Sequence, residues 1–365
     1  MRAWDWKAIG TVIGRTIAAF VVAAAGGIAF DWFGVPAAWV SGATISVALF
    51  TMAGADLRLS NRVRDVVFVF LGISMGAGVT PETIARLPHW PVSLALLFMA
   101  VAGVIAGVYL FLHRVAGWDK ATAFYAAIPG AMSYVLAMAV ESPADLRRVA
   151  IAQTFRIMVL VVVLPVVIVG SGLSGPLQVP VWPVAGLREL AILLPVGIIG
   201  AIAAERAGVP AGLLTGAFLA SAVVHGAGLA HGNLPQPVLI PCFLTVGIVI
   251  GTRFLGTDRD LLLGSLAASV GAFLISAGVA GLGVVAVLMT TDIGFDAAAL
   301  AFAPGGLEAM TALSFMLGAD PAYVATHQVF RFVGMVLVLP SVIGRLAFAG
   351  ARWKEASLDQ RSRAD

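Results

Sequence analysis

IPGAMSYVLAMAVESPADLRRVAIAQTFRIMVLVVVLPVVI, residues 128–168, can be laid without a gap on APGGLEAMTALSFMLGADPAYVATHQVFRFVGMVLVLPSVI, residues 303–343. The shift is 175 residues, and it pairs Pro129 with Pro304, Gly130 with Gly305, Asp145 with Asp320, Gln153 with Gln328, Arg156 with Arg331 and Pro165 with Pro340. Upstream, GVPAAWVSGA (34–43) matches GVPAGLLTGA (208–217), and Gly72 and Gly76 match Gly247 and Gly251. Self-similarity at a nearly constant distance, 175 residues with one residue fewer at the 34–43 match, is the mark of a duplicated unit. The boundaries it gives are a first repeat over 8–170, a linker over 171–187, a second repeat over 188–349 and a polar tail over 350–365.

The medium around these repeats follows from composition. Of 365 residues 60% are hydrophobic and 11% charged, with a mean hydropathy of +1.01, outside the range of water-soluble domains. Apolar runs of 17 to 25 residues recur from Ile9 to Ala349; such a run, as a helix, crosses about 30 Å of hydrocarbon. The expectation is an all-α, polytopic membrane protein. Its N-terminal run resembles a signal peptide but reappears in the second repeat, so it reads as a retained first span. The lone cysteine, Cys242, excludes an internal disulfide and a thiolate metal cluster. The net charge of +3 gives no basis for a nucleic-acid partner; the partners expected are the lipid bilayer, a small solute and a second copy of the chain in a homo-oligomer.

Each half holds six apolar segments, in the first near 12–30, 35–53, 63–79, 92–112, 121–141 and 146–170. The positive-inside rule tests how many of them cross. Six crossings leave six Lys and Arg residues on the outer side, whereas five crossings, with the fifth segment returning to its own side, leave only Arg86 and Arg188 there. The basic loop RLSNRVRD (58–65) and its uncharged-by-base counterpart HGAGLAHGNLPQP (225–237) then face opposite sides. This predicts two inverted-topology repeats, each about five spans plus a Pro-Gly broken or re-entrant hairpin, in an inner membrane with both termini cytoplasmic. A full crossing by a broken helix, with another segment re-entrant, satisfies the same rule.

Proline deep in an apolar helix removes a donor, and glycine lets the chain turn. Such breaks survive in a bilayer only where protein or a water-filled cavity surrounds them. In architectures of this kind they form solute sites near the midplane. The candidate solute-binding residues are therefore Pro129, Gly130, Ser133, Gln153 and Arg156 in the first half, and Pro304, Gly305, Gly306, Gln328 and Arg331 in the second. Each Gln-x-x-Arg pair shares one helical face about 16 Å from the Asp that precedes it. The guanidinium forks suit either a bound carboxylate or phosphate, or the free carbonyls of the broken helices. Glu308, whose counterpart is Ser133, must be paired or protonated at such depth, and is the candidate proton or coupling-ion site. The five histidines, His89, His113, His225, His231 and His327, have no metal-ligand spacing, and no cofactor is expected.

The run PGGLEAM (304–310), GAD (318–320) and HQVFR (327–331) resembles the membrane AbrB family, whose members carry this unit twice. In the first half it reads PGAMSYV and AQTFR. The family is often labelled as ammonia monooxygenases or as regulators of gene expression. The first label implies a copper or iron site, which these histidines do not supply. The second implies an indirect route through a transported or sensed solute. The reading of the residues is a non-enzymatic secondary transporter moving a small solute, an organic anion foremost, by alternating access. Its rivals are a membrane-embedded sensor acting on gene expression and, third, a metal-dependent monooxygenase.

Overall fold

The computed structural model describes residues 6–79, 81–130, 132–140, 142–173, 183–209 and 211–362. The first half of the chain forms α1 (Trp6–Trp32), α2 (Ala38–Met52), α3 (Asn61–Gly76), the short α4 (Pro81–Arg86), α5 (Trp90–Arg114), α6 (Lys120–Ala127), α7 (Met132–Val140) and α8 (Leu146–Gly170). The second forms α9 (Leu187–Arg206), α10 (Gly212–Gly226), α11 (Gln236–Gly251), α12 (Arg259–Thr290), α13 (Phe295–Phe302), α14 (Leu307–Leu317) and α15 (Pro321–Ser362). No β-strand occurs among the described residues. Most of the linker placed at 171–187 lies outside them, and α15 carries helical backbone on through the segment read as a polar tail.

Among the described residues seven helices are long and apolar enough to cross a membrane: α1, α5, α8, α9, α11 with the 3-10 turn that follows it, α12 and the Pro321–Val342 part of α15. Three more, α2, α3 and α10, have 15 or 16 residues, roughly 23 Å of helix. The outward faces of the long helices carry exposed Ile17, Val21, Met99, Ile199, Leu274 and Leu282. In water these side chains would be a liability; against acyl chains they cost nothing. The all-helical, multi-pass membrane architecture expected from composition is the one observed.

Helix starts are set by side chains that satisfy the free N–H groups of a first turn. Ser60 caps α3, Asp119 caps α6 and Asp258 caps α12. The paired Asp145 and Asp320 do the same work: Asp145 accepts from the N–H groups of Arg147 and Arg148, and Asp320 from those of Ala322 and Tyr323. Ala37 and Ala211, the last residues of the two Gly-Val-Pro-Ala turns, take the same left-handed backbone at φ 54° and 49° to launch α2 and α10.

The helices of the two halves interleave. α2 packs on α1 and on α11, while α10 packs on α9 and on α3; α5 lies along α12. Small residues permit this closeness. A methyl group on Gly72 would stand 2.4 Å from the Leu214 carbonyl oxygen, and one on Gly247 would stand 2.5 Å from the Ala43 Cβ. The Gly-x-x-x-Gly pairs are thus contact surfaces between α3 and α10 and between α11 and α2.

Candidate functional site

The broken segments lie at the centre of this bundle. α6 and α7 have 8 and 9 residues, α13 and α14 have 8 and 11, so each arm is about 12 to 17 Å long and none can cross alone. In the first segment the chain doubles back. The Asp145 N–H donates to the Thr122 hydroxyl at 2.8 Å, joining the foot of the outgoing arm to the end of the return, and the Tyr125 hydroxyl donates across the arms to the Met138 carbonyl at 3.4 Å. The two arms of this segment therefore lie side by side as a hairpin. In the second segment, α13 packs against both α14 and α15.

The described residues of the breaks are 128–130 in the first segment and 303–306 in the second. At the first, Gly130 takes φ +80°, a conformation open to glycine and strained for other residues. At the second, the Gly305 N–H folds back onto the Ala303 carbonyl at 2.7 Å. Each break strands the last carbonyls of the incoming arm, and the paired Gln and Arg side chains collect them. Gln153 Nε2 donates to the Tyr125 carbonyl at 3.0 Å and Arg156 Nη2 to the Ile128 carbonyl at 3.2 Å. In the second half Gln328 Nε2 donates to the Leu300 carbonyl at 2.9 Å and Arg331 Nη1 to the Ala303 carbonyl at 2.6 Å. These bonds all reach back over the same 28 residues. Arg331 adds a bond from Nη2 to the Gly305 carbonyl at 2.6 Å, and one to Gln328 Oε1. Of the two uses the sequence allows for these guanidiniums, binding broken-helix carbonyls is the one observed.

The halves are not equally satisfied. Arg156 and Arg331 are 4% and 3% exposed, yet Gln153 Oε1, Arg156 Nε and Arg331 Nε have no hydrogen-bond partner. Neither arginine has an ion-pair partner among the described residues. The tips of the two breaks also touch: a Cβ on Gly130 would lie 3.2 Å from Arg331 Nη2 and 3.4 Å from the Gly305 carbonyl oxygen. Two cations therefore stand where two broken helices meet. Pro129, Gly130, Gln153, Arg156, Pro304, Gly305, Gln328 and Arg331 are all buried there, with Gly306 half-buried. Ser133 belongs to α7, but its side chain is outside the described residues.

Glu308 sits in the first turn of α14, where the helix dipole favours an anion. It does not pair with Arg331. It lines a narrow cavity of about 20 Å³, room for roughly one water molecule, together with Gly306, Phe68, Ile157, Val246 and Arg253. Arg253 follows α11 in its 3-10 turn and lies within electrostatic reach of Glu308, and its Nη1 also contacts the Met132 sulfur, at the start of α7, at 3.5 Å. Arg253 is not among the candidate residues read from the sequence. A signal was present nonetheless: at the 175-residue shift Arg253 matches Gly78, so the half that carries Glu308 in place of serine also carries arginine in place of glycine.

Three of the five histidines are bonded locally. His225 bonds to the Ser221 and Gly232 carbonyls, His113 to the Trp118 carbonyl, and His327 to the Tyr323 carbonyl and the Ser93 hydroxyl rather than to the arginine network. Among the described residues no three His, Cys, Asp or Glu side chains are grouped to hold a metal ion.

Two relatives extend over nearly the whole chain. A protein of Escherichia coli (strain K12) named "Putative regulator AbrB" is 29% identical over 323 residues, covering 84% of this chain and 89% of its own. "Uncharacterized protein YhjN" of Bacillus subtilis (strain 168) is 26% identical over 359 residues, covering 87% of this chain and 90% of its own. The family model described as "Transition state regulatory protein AbrB" matches residues 39–347, a stretch that includes both breaks, both Gln-x-x-Arg pairs, Arg253 and Glu308. The chain belongs to the AbrB family.

Proposed function

We propose that this protein is a secondary transporter of a small organic anion, built from two halves of inverted topology that work by alternating access. The observation that carries the reading is the meeting of the two broken helices around Arg156 and Arg331, buried and without acid partners. A charge in the bilayer core costs several kcal/mol unless it is compensated. The arginines meet part of that cost with carbonyls at the C-terminal ends of α6 and α13. Those ends are negative, so the opposite, positive ends of α7 and α14 remain to favour an anion.

The Gln and Arg bonds fix each hairpin to the long helix after it, α8 or α15, so each hairpin and helix can move as one body. Interleaved contacts between α2 and α11 and between α3 and α10 give two matched surfaces on which such bodies can rock. The chain does this without covalent chemistry, in an inner membrane with both termini cytoplasmic. The test is uptake by proteoliposomes of solutes that first raise the melting temperature of the purified protein. Flux that persists unchanged in both Arg331→Gln and Glu308→Gln would remove these residues from the mechanism.

The relative named as a regulator favours a second reading, a membrane-embedded sensor that affects gene expression through a partner. Deleting residues 351–365 separates the two: loss of a regulatory phenotype while flux survives supports the sensor.

A further inference from the structure

The two buried midplane arginines are engaged by backbone carbonyls, Arg331 by two of them and by Gln328. A third arginine is held more loosely. Arg253 meets a thioether sulfur, a weak acceptor, at 3.5 Å, and shares the narrow cavity with Glu308 without a hydrogen bond between them. Around the pair the wall is apolar: Phe68, Ile157, Val246 and Ile250. It is assembled from α3 and α8 of the first half and α11 and α14 of the second, so any relative movement of the halves changes it.

A second cavity, about 190 Å³, lies outward along the same seam and is lined by Arg58, Asn61, Arg64 and Thr252. Val249 lines both cavities, so the two lie next to each other along α11. Both arginines of the outer cavity are paired with carboxylates, Arg58 with Asp56 and Arg64 with Asp65, whereas Arg253 at the inner one has no ion pair among the described residues.

Resting on the transporter reading, we propose that Arg253 is the residue that binds the carboxylate of the solute, and that Glu308 takes up one proton in the same event. The two anions would compete for one guanidinium inside an apolar wall, and two carboxylates sharing a site cannot both remain charged. Arg253 is the charged group that shares the cavity with Glu308; of the elements packed against α14, α8 carries Arg156 and α15 carries Arg331, both bonded to backbone carbonyls, and on α3 Arg64 and Asp65 pair with each other. The balance is simple. Glu308 changes from carboxylate to carboxylic acid with one proton from the aqueous side, the solute carboxylate pairs with Arg253, and the site's net charge is unchanged. Solute and proton then travel together in a ratio of one to one.

The experiment measures binding, not flux, so its result stands apart from that of the uptake assay. Purified full-length protein is titrated with acetate, pyruvate and succinate, and with acetamide as the uncharged control, following the melting temperature from pH 5.5 to 8.5. The expected result is stabilisation by at least one carboxylate and not by acetamide, with apparent affinity falling as pH rises, by up to about tenfold per pH unit, the slope of one proton taken up with each solute. Arg253→Gln should lose this stabilisation, and Arg253→Lys should keep part of it. Glu308→Gln, a neutral mimic of the protonated acid, should bind with an affinity that no longer changes with pH. The proposal is overturned if no carboxylate stabilises the protein, if Arg253→Gln binds as well as wild type, or if Glu308→Gln keeps the wild-type pH slope. Should Arg253→Gln fail to fold, the Glu308→Gln slope decides alone.

Discussion

Thr122 and Asp145 stand 23 residues apart in sequence and 2.8 Å apart at the foot of the first hairpin, hydroxyl oxygen to backbone N–H. This bond closes the foot of a hairpin whose arms are also joined by the Tyr125 hydroxyl and the Met138 carbonyl. Thr122→Val keeps the shape and removes the acceptor, so it should destabilise the protein by about 1 kcal/mol. The measurement is thermal unfolding in detergent, and no loss of stability would mean that the hairpin foot is held elsewhere.

Arg331 and Arg156 occupy matching positions but carry unequal loads: three hydrogen bonds against one among the described residues. Arg331→Gln strands the Ala303 and Gly305 carbonyls and should cost about 3 kcal/mol, while Arg156→Gln should cost roughly half as much. The order of the two melting temperatures checks this, and a reversed order would show that Arg156 carries bonds beyond those seen.

Gly130 holds a left-handed backbone and touches Arg331. Gly130→Ala should therefore destabilise by about 1 to 2 kcal/mol from backbone strain alone. It should also change solute-induced stabilisation, since the added methyl pushes on Arg331 Nη2 at 3.2 Å. Gly170→Ala, with nothing near the added atom, is the control and should be neutral or slightly stabilising.

At the aqueous edge, Arg58 donates two side-chain hydrogen bonds to Asp56 and holds its carboxyl well below the usual carboxylate range, against an opposing push from burial; Arg15 adds a further bond. A depressed acid contributes stability above its unfolded pKa, about 3.9, and loses that contribution as pH falls through the folded value. The difference in melting temperature between wild type and Asp56→Asn should thus be constant from pH 8 to 5 and shrink below about pH 4. A difference that grows with acidification would reverse the sign.

Much of this molecule is legible in its sequence because lipid makes few demands but strict ones. Hydropathy locates the spans, and the shift of 175 residues predicts that whatever Gln153 and Arg156 do, Gln328 and Arg331 do too. The hydrogen bonds agree to the residue. What the sequence leaves open is which acceptor a long side chain chooses. Arg331 has the same fork for a ligand carboxylate as for two backbone carbonyls, and only the position of the break decides. Arg253 escaped notice for the opposite reason. It follows α11 in a short turn, where an arginine reads as a solvated loop residue, yet the turn points it inward towards Glu308. The 15- and 16-residue helices α2, α3 and α10 could not be told from full spans by apolarity alone.

The interleaving of α2 with α11 and of α3 with α10 has a consequence for biosynthesis. The ribosome delivers the first half before its complement exists, so the small-residue flanks at Gly72 and Gly76 must wait in the bilayer, sheltered only by lipid, until α10 arrives. Neither half made separately should acquire its native packing. Both expressed together from separate messages should find each other, because the recognition surface is written into the glycines and not into the peptide that joins them.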